Sequence, residues 1–169
     1  MVSFEENMNR TFRPGALGAL IDEYERASAE LTRILSQITD AEFELLRDTK
    51  TLDKDCRSIQ TIMSHVVHSG YGYANRLRDA FSLPAQAHTH QVLQRDQCAD
   101  QIKRMLSYTA DALEGRWDYS GEQVMAVQIR SPWGPENLEQ LLEHAIVHIL
   151  RHRRQIERFL LQTQPPPTT

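Results

Sequence analysis

The segment Leu138-Glu139-Gln140-Leu141-Leu142-Glu143-His144-Ala145-Ile146-Val147-His148-Ile149-Leu150-Arg151-His152-Arg153-Arg154-Gln155-Ile156 repeats apolar residues three and four positions apart and histidines in steps of four. Both spacings trace one face of an α-helix. At about 100° per residue, with His148 at zero, Leu138, Ala145, Ile149 and Ile156 gather between about +60° and +100°. Leu142 and Leu160 fall at about +120°, so the bundle-facing direction is about +80°. His152 then stands at about +40° and His144 at about −40°. His148 and His152 form an inward pair one turn apart, and His144 belongs to the rim or supports the pair. The helix is expected from about Asn137 to Gln162, and Pro165-Pro166-Pro167-Thr168-Thr169 cannot extend it, so 163–169 reads as a disordered tail. A helix of roughly 25 residues is about 37 Å long and needs partners of similar length to cover its apolar stripe.

Those partners are legible upstream. A first helix opens at Arg13-Pro14-Gly15 and keeps its stripe from Leu17 to Ile38. Thr39-Asp40-Ala41-Glu42 reads as a capping box, which predicts a break near Ile38 and a short helical piece around Phe43, Leu45 and Leu46. A second helix is expected from about Arg57 to Ser82, with Asp55 as N-cap and Leu83-Pro84 enforcing its end. A third runs from about Gln91 to Glu114 and stops at Gly115. Val124, Val127 and Ile129 point to extended chain, and Ser131-Pro132-Trp133-Gly134-Pro135 punctuates a structured crossing loop before the last helix. The fold class is all-α, a four-helix bundle, with residues 1–162 as a single domain.

Composition agrees. The chain has 169 residues, of which 40% are hydrophobic and 25% charged, and its net charge is −4. That excludes collagen-like and wholly disordered classes and argues against a protein that coats nucleic acid. The N-terminus lacks an apolar signal core, no long apolar run could span a membrane, and Cys56 and Cys98 stand far apart without a CxxC partner. A cytoplasmic protein with reduced thiols is expected, with no membrane and no nucleic-acid partner.

On the second helix, a wheel centred on His65 places Ile62, Val66 and Tyr73 at about +60° to +100° and His68 at about −60°. His65 borders the apolar face and His68 looks outward. Ser58, Ser69 and Gly72 lie on the row of His65 and leave room for a pocket. Two inward histidines from one helix and one from another supply three neutral nitrogen donors for a divalent ion, with positions left for water or substrate. The metal candidates are therefore His65, His148 and His152, with one divalent ion per chain; imidazole accommodates zinc, nickel, copper and iron(II), so the ligand set alone does not name the metal, and zinc or nickel is expected first, iron or manganese next. His144 and Gln155 are candidate supports. A histidine at a bundle edge is ordinarily a hydrogen-bonded boundary residue, and His68, His88 and His90 are read that way. Arg151, Arg153, Arg154 and Arg158 read as a solvated face near a helix C-terminus, and Trp133 as an anchor of the crossing loop.

Three segments taken together, Ser58-Ile59-Gln60-Thr61-Ile62-Met63-Ser64-His65-Val66-Val67, Ser131-Pro132-Trp133-Gly134 and His148-Ile149-Leu150-Arg151-His152-Arg153-Arg154-Gln155-Ile156, resemble the DinB/YfiT-like superfamily of four-helix-bundle metalloproteins. The resemblance implies a metal held by His65, His148 and His152. It also implies a small-molecule substrate, with thiol-dependent transferases and isomerases using bacillithiol or mycothiol as the characterised activities. Arg151 stands where the family often has histidine and Arg154 where it often has glycine; both departures bear on the rim and leave the three ligands intact. The expected function is a metal-dependent thiol S-transferase. Metal-assisted hydrolysis and a non-enzymatic metal-binding or stress-response bundle are the alternatives, and an exposed helix face would allow a homodimer.

Overall fold

In the computed structural model of the protein, residues 11–162 are described. They form α1 (Gly15–Leu35), α2 (Asp40–Glu44), a 3-10 turn (Lys54–Cys56), α3 (Ile59–Ala80), α4 (Arg95–Asp111), α5 (Gly121–Ala126), a hairpin of β1 (Ile129–Ser131) and β2 (Gly134–Glu136), and α6 (Leu138–Leu161). Among the long helices, α1 packs on α6 and α4, and α3 packs on α4 and α6. The four close into a ring, an all-α four-helix bundle whose last connection contains α5 and the hairpin. One apolar core joins them, with Leu17, Ile21, Ile62, Met105 and Ile156 almost wholly buried. None of the described helices is long and apolar enough to cross a membrane. The tail expected at 163–169 lies outside the described residues.

Caps set the helix starts. Thr39 and Glu42 form the expected box: the Glu42 amide donates to Thr39 Oγ1 at 3.2 Å, and Glu42 Oε2 accepts from the Thr39 amide at 2.8 Å. The break falls earlier than expected, at Leu35, and of the apolar residues after it Phe43 is buried whereas Leu45 and Leu46 lie exposed beyond α2. The cap of α3 is Ser58 and not Asp55: Ser58 Oγ accepts from the Thr61 amide at 3.1 Å, while Thr61 Oγ1 accepts from the Ser58 amide at 3.0 Å. Asp55 sits instead in the 3-10 turn that Asp53 caps through the Asp55 amide. Asn137 and Gln140 form the box that starts α6.

The third long helix departs furthest from expectation. It starts at Arg95, because the segment before it is held extended by α3: the Leu93 amide donates to Ser64 Oγ at 3.0 Å and the Leu93 carbonyl accepts from Gln60 Nε2 at 3.0 Å. Leu93 is buried there and only imitated a helical stripe. The helix ends at Asp111, and turns carry the chain through Gly115 at φ +76°. Val124, expected in extended chain, is buried inside the short α5, whereas Ile129 lies in β1 as its pattern required. Gly15 ties α1 to this region: its φ is +73°, and a Cβ there would lie 2.1 Å from the Trp117 carbonyl oxygen.

The hairpin pairs Ile129 with Glu136 and Ser131 with Gly134. Ser131 Oγ accepts from the Trp133 amide at 3.2 Å and donates to the Gly134 carbonyl at 2.9 Å. Gly134 at φ +122° closes the turn. These bonds hold Trp133 at the tip and present Glu136 to α6.

Candidate metal centre

The sequence pairs His65 of α3 with His148 and His152 of α6, and the bundle brings the three together. His65 Nε2 and His148 Nε2 are 3.1 Å apart. Ring centroids stand 5.0 Å apart for His65–His148, 5.2 Å for His65–His152 and 4.5 Å for His148–His152. One ligand atom from each of the three lies within 4.8 Å of the others. For comparison, two nitrogens bound at about 2.0–2.1 Å in tetrahedral geometry stand about 3.3 Å apart. The three residues could hold a metal ion.

Helix direction explains the convergence. Tyr73, two turns beyond His65 on α3, packs on His144 at 5.5 Å, whereas His65 itself packs on His152. Moving forward on α3 therefore means moving backward on α6, so the two run antiparallel. His148 and His152 are buried at 8% and 5% exposure, and His65 is half-buried, as the wheels required. Burial is the first cause that holds both α6 rings uncharged: it pushes His148 down to about 3 and His152 down to about 4, and the neighbouring imidazoles act in the same direction. Neutral imidazoles offer lone pairs to a metal.

The far nitrogens are engaged. His65 Nδ1 lies 3.4 Å from Asp55 Oδ2, and His152 Nδ1 lies 3.1 Å from Gln155 Oε1. The Gln155 oxygen accepts, which places the hydrogen of His152 on Nδ1, and the nearby Asp55 carboxylate favours the same tautomer of His65, leaving each Nε2 lone pair for the shared centre. Gln155 in turn donates from Nε2 to the Cys56 carbonyl at 3.5 Å. His144 is a rim residue: its Nδ1 bonds Glu136 Oε1 at 3.0 Å, and its ring lies 4.1 Å from Trp133.

The cluster opens into a cavity of about 710 Å³. Its walls include Asp53, Cys56, Ser69, Gly72, Tyr73, Arg76, Trp133 and Arg151. Ser69 and Gly72 supply the space their size predicted. Trp133 does more than anchor a loop: it is 61% exposed and stands at the mouth beside Tyr73 and His144. The arginine face divides, with Arg153 paired to Glu30 of α1 and Arg151 on the cavity wall. His68 also lines the cavity, which corrects the outward placement that its angle implied.

Sequence reasoning missed Asp53, Asp55 and Cys56 as site residues. Their signal, three chemistry-bearing side chains within four residues, was visible, but only the 3-10 turn folds them back over the ligands. Burial, and then the hydrogen bond to Asp53, pushes the Cys56 thiol up to about 11, so it donates to Asp53 Oδ2 at 3.3 Å.

A comparison with the curated proteins finds no match. Among known families, the chain matches the DinB family over residues 8–167. That span takes in all four long helices and the three histidines, and the chain belongs to the DinB family.

Proposed function

We propose that the protein is a divalent-metal-dependent enzyme that transfers or adds a low-molecular-weight thiol to an electrophile, with His65, His148 and His152 holding one ion per chain. The observation that carries this reading is the convergence of three imidazoles in an open cavity, with no fourth protein donor in the group among the described residues. Three protein ligands and an open approach are the pattern of catalytic and not structural sites.

A bound ion supplies positive charge that favours the deprotonated form of a thiol or of water. The chain's own residues do the rest. Asp55 and Gln155 hold the tautomers of His65 and His152. Tyr73 and Trp133 give the cavity an aromatic wall suited to the apolar part of a substrate. Arg76 and Arg151 place two guanidinium groups on the same wall, which favours an acid-bearing small molecule. In the reaction, the thiol releases its proton to water and its sulfur forms the new C–S bond. In transfer, the leaving group departs with the electron pair of the bond that breaks; in addition, the π bond of the electrophile breaks and the atom that takes its electron pair is protonated from water.

The test is elemental analysis of the purified full-length chain followed by assay against thiols, bacillithiol and mycothiol included, and against ester and amide substrates. The expected outcome is about one zinc or nickel per chain and turnover that requires a thiol. Ester or amide cleavage without thiol dependence would replace this reading by metal-assisted hydrolysis. A metal-loaded protein inactive in both panels would leave a metal-binding bundle.

A further inference from the structure

We propose that His68, His88 and His90 form a second, more exposed site for a divalent transition-metal ion, joined through Asp55 to the first cluster but separate from it. His68 stands one helical turn beyond His65 on α3, and the loop after α3 folds back to place two more imidazoles beside it. The His68 ring lies 5.8 Å from that of His88 and 5.4 Å from that of His90. These separations are only slightly wider than the 4.5–5.2 Å of the first cluster.

Two observations point to a ligand. The Nδ1 atoms of His68 and His88 are both buried and have no hydrogen-bond partner. Buried ring nitrogens ordinarily find one, so an unpartnered pair of this kind points to something that satisfies it. The contact that holds His88 in place also leaves its lone pair free: Tyr71 stacks on the ring face at 4.0 Å and 14°. A metal binds in the plane of an imidazole, at its edge, so stacking and coordination do not compete.

Charge and access agree with a cation site. Asp55 Oδ1 lies 3.8 Å from His90 Nε2, while its other oxygen faces His65 Nδ1 at 3.4 Å. One carboxylate thus touches both clusters. The ring nitrogens here are more widely spread than those of the first cluster. Capture therefore requires the loop carrying His88 and His90 to draw in, and the second site binds more weakly than the first. His90 lies on the surface, so an ion reaches this site from solvent without passing the cavity floor.

The experiment is a calorimetric titration of metal-free, untagged full-length protein with Zn²⁺, accompanied by NMR of the histidine side chains. Wild type is expected to take up about two equivalents per chain of unequal affinity, the weaker one shifting the His68, His88 and His90 resonances. The double variant H88Q/H90Q is expected to keep the tight equivalent and lose the weak one. His148→Ala is expected to do the reverse, which separates failure here from failure of the first site. Saturation of wild type at one equivalent, or a second equivalent that shifts other histidines or survives in H88Q/H90Q, would overturn the proposal. The NMR arm uses unaltered protein and decides the matter even where a variant folds poorly.

Discussion

The bundle has two seams that open into cavities, and they differ in kind. Between α1 and α4 a groove of about 510 Å³ is lined by Ala29, Ile102, Leu106 and Ala110, and at its end Arg13 is already engaged by Asp22 at 2.6 Å and Glu25 at 2.7 Å. Between α3 and α6 a cavity of about 710 Å³ ends on three imidazoles, where His65 Nε2 meets His148 Nε2 at 3.1 Å and Ser69 Oγ at 3.4 Å. Space is common to both seams. What separates them is where the charged and ring groups point: in one Arg13 is satisfied by Asp22 and Glu25, and in the other three imidazoles converge on one another and leave room for an outside partner.

The sharpest way to break that contrast is to remove one ligand. His148→Ala is expected to weaken metal binding by more than the roughly 10- to 100-fold that outer partners contribute, read as loss of metal from purified protein. Ile102→Ala, in the other seam, is expected to cost about 2–5 kcal/mol of folding stability by urea titration and to leave metal content unchanged. Acid provides a third test on metal-free protein. The folded-state values of His148 and His152 lie below the unfolded value of 6.5, so the unfolded chain binds more protons as pH falls. Stability is therefore full above pH 6.5 and declines below it, toward about 4 for His152 and about 3 for His148. By pH 5 the loss is about 2 kcal/mol for each imidazole, and bound metal, whose release takes up protons, should steepen the decline. The mildest change is Asp55→Asn, expected to lower metal affinity about 10- to 100-fold while the fold persists. An Asp55→Asn protein that binds metal as wild type does would show that His65 is oriented by packing alone.

The long helices were legible because their apolar periods are local and strong. The three-histidine cluster was legible for the same reason, since His65, His148 and His152 all lie within their wheels' inward half. Where another element intervenes, the pattern misled. Leu93 carries a helical spacing but is pinned in extended form by Ser64 and Gln60. Asp55 has the chemistry of a cap, yet Ser58 takes that role because its box partner Thr61 stands three residues on. His68 was turned outward by its angle, although the loop bearing His88 and His90 covers it and makes that side of α3 a second cluster.

Amino-acid order alone determined the four long amphipathic segments, the Thr39–Glu42 box and the inward placement of His65, His148 and His152, because a helix converts spacing into direction at a constant angle per residue. Tertiary structure decided which rings meet, that Asp55 and Gln155 hold their far nitrogens, and that Trp133 stands at the cavity mouth. Those contacts depend on the path of turns and loops, and backbone turns set that path through bonds made by residues remote in sequence.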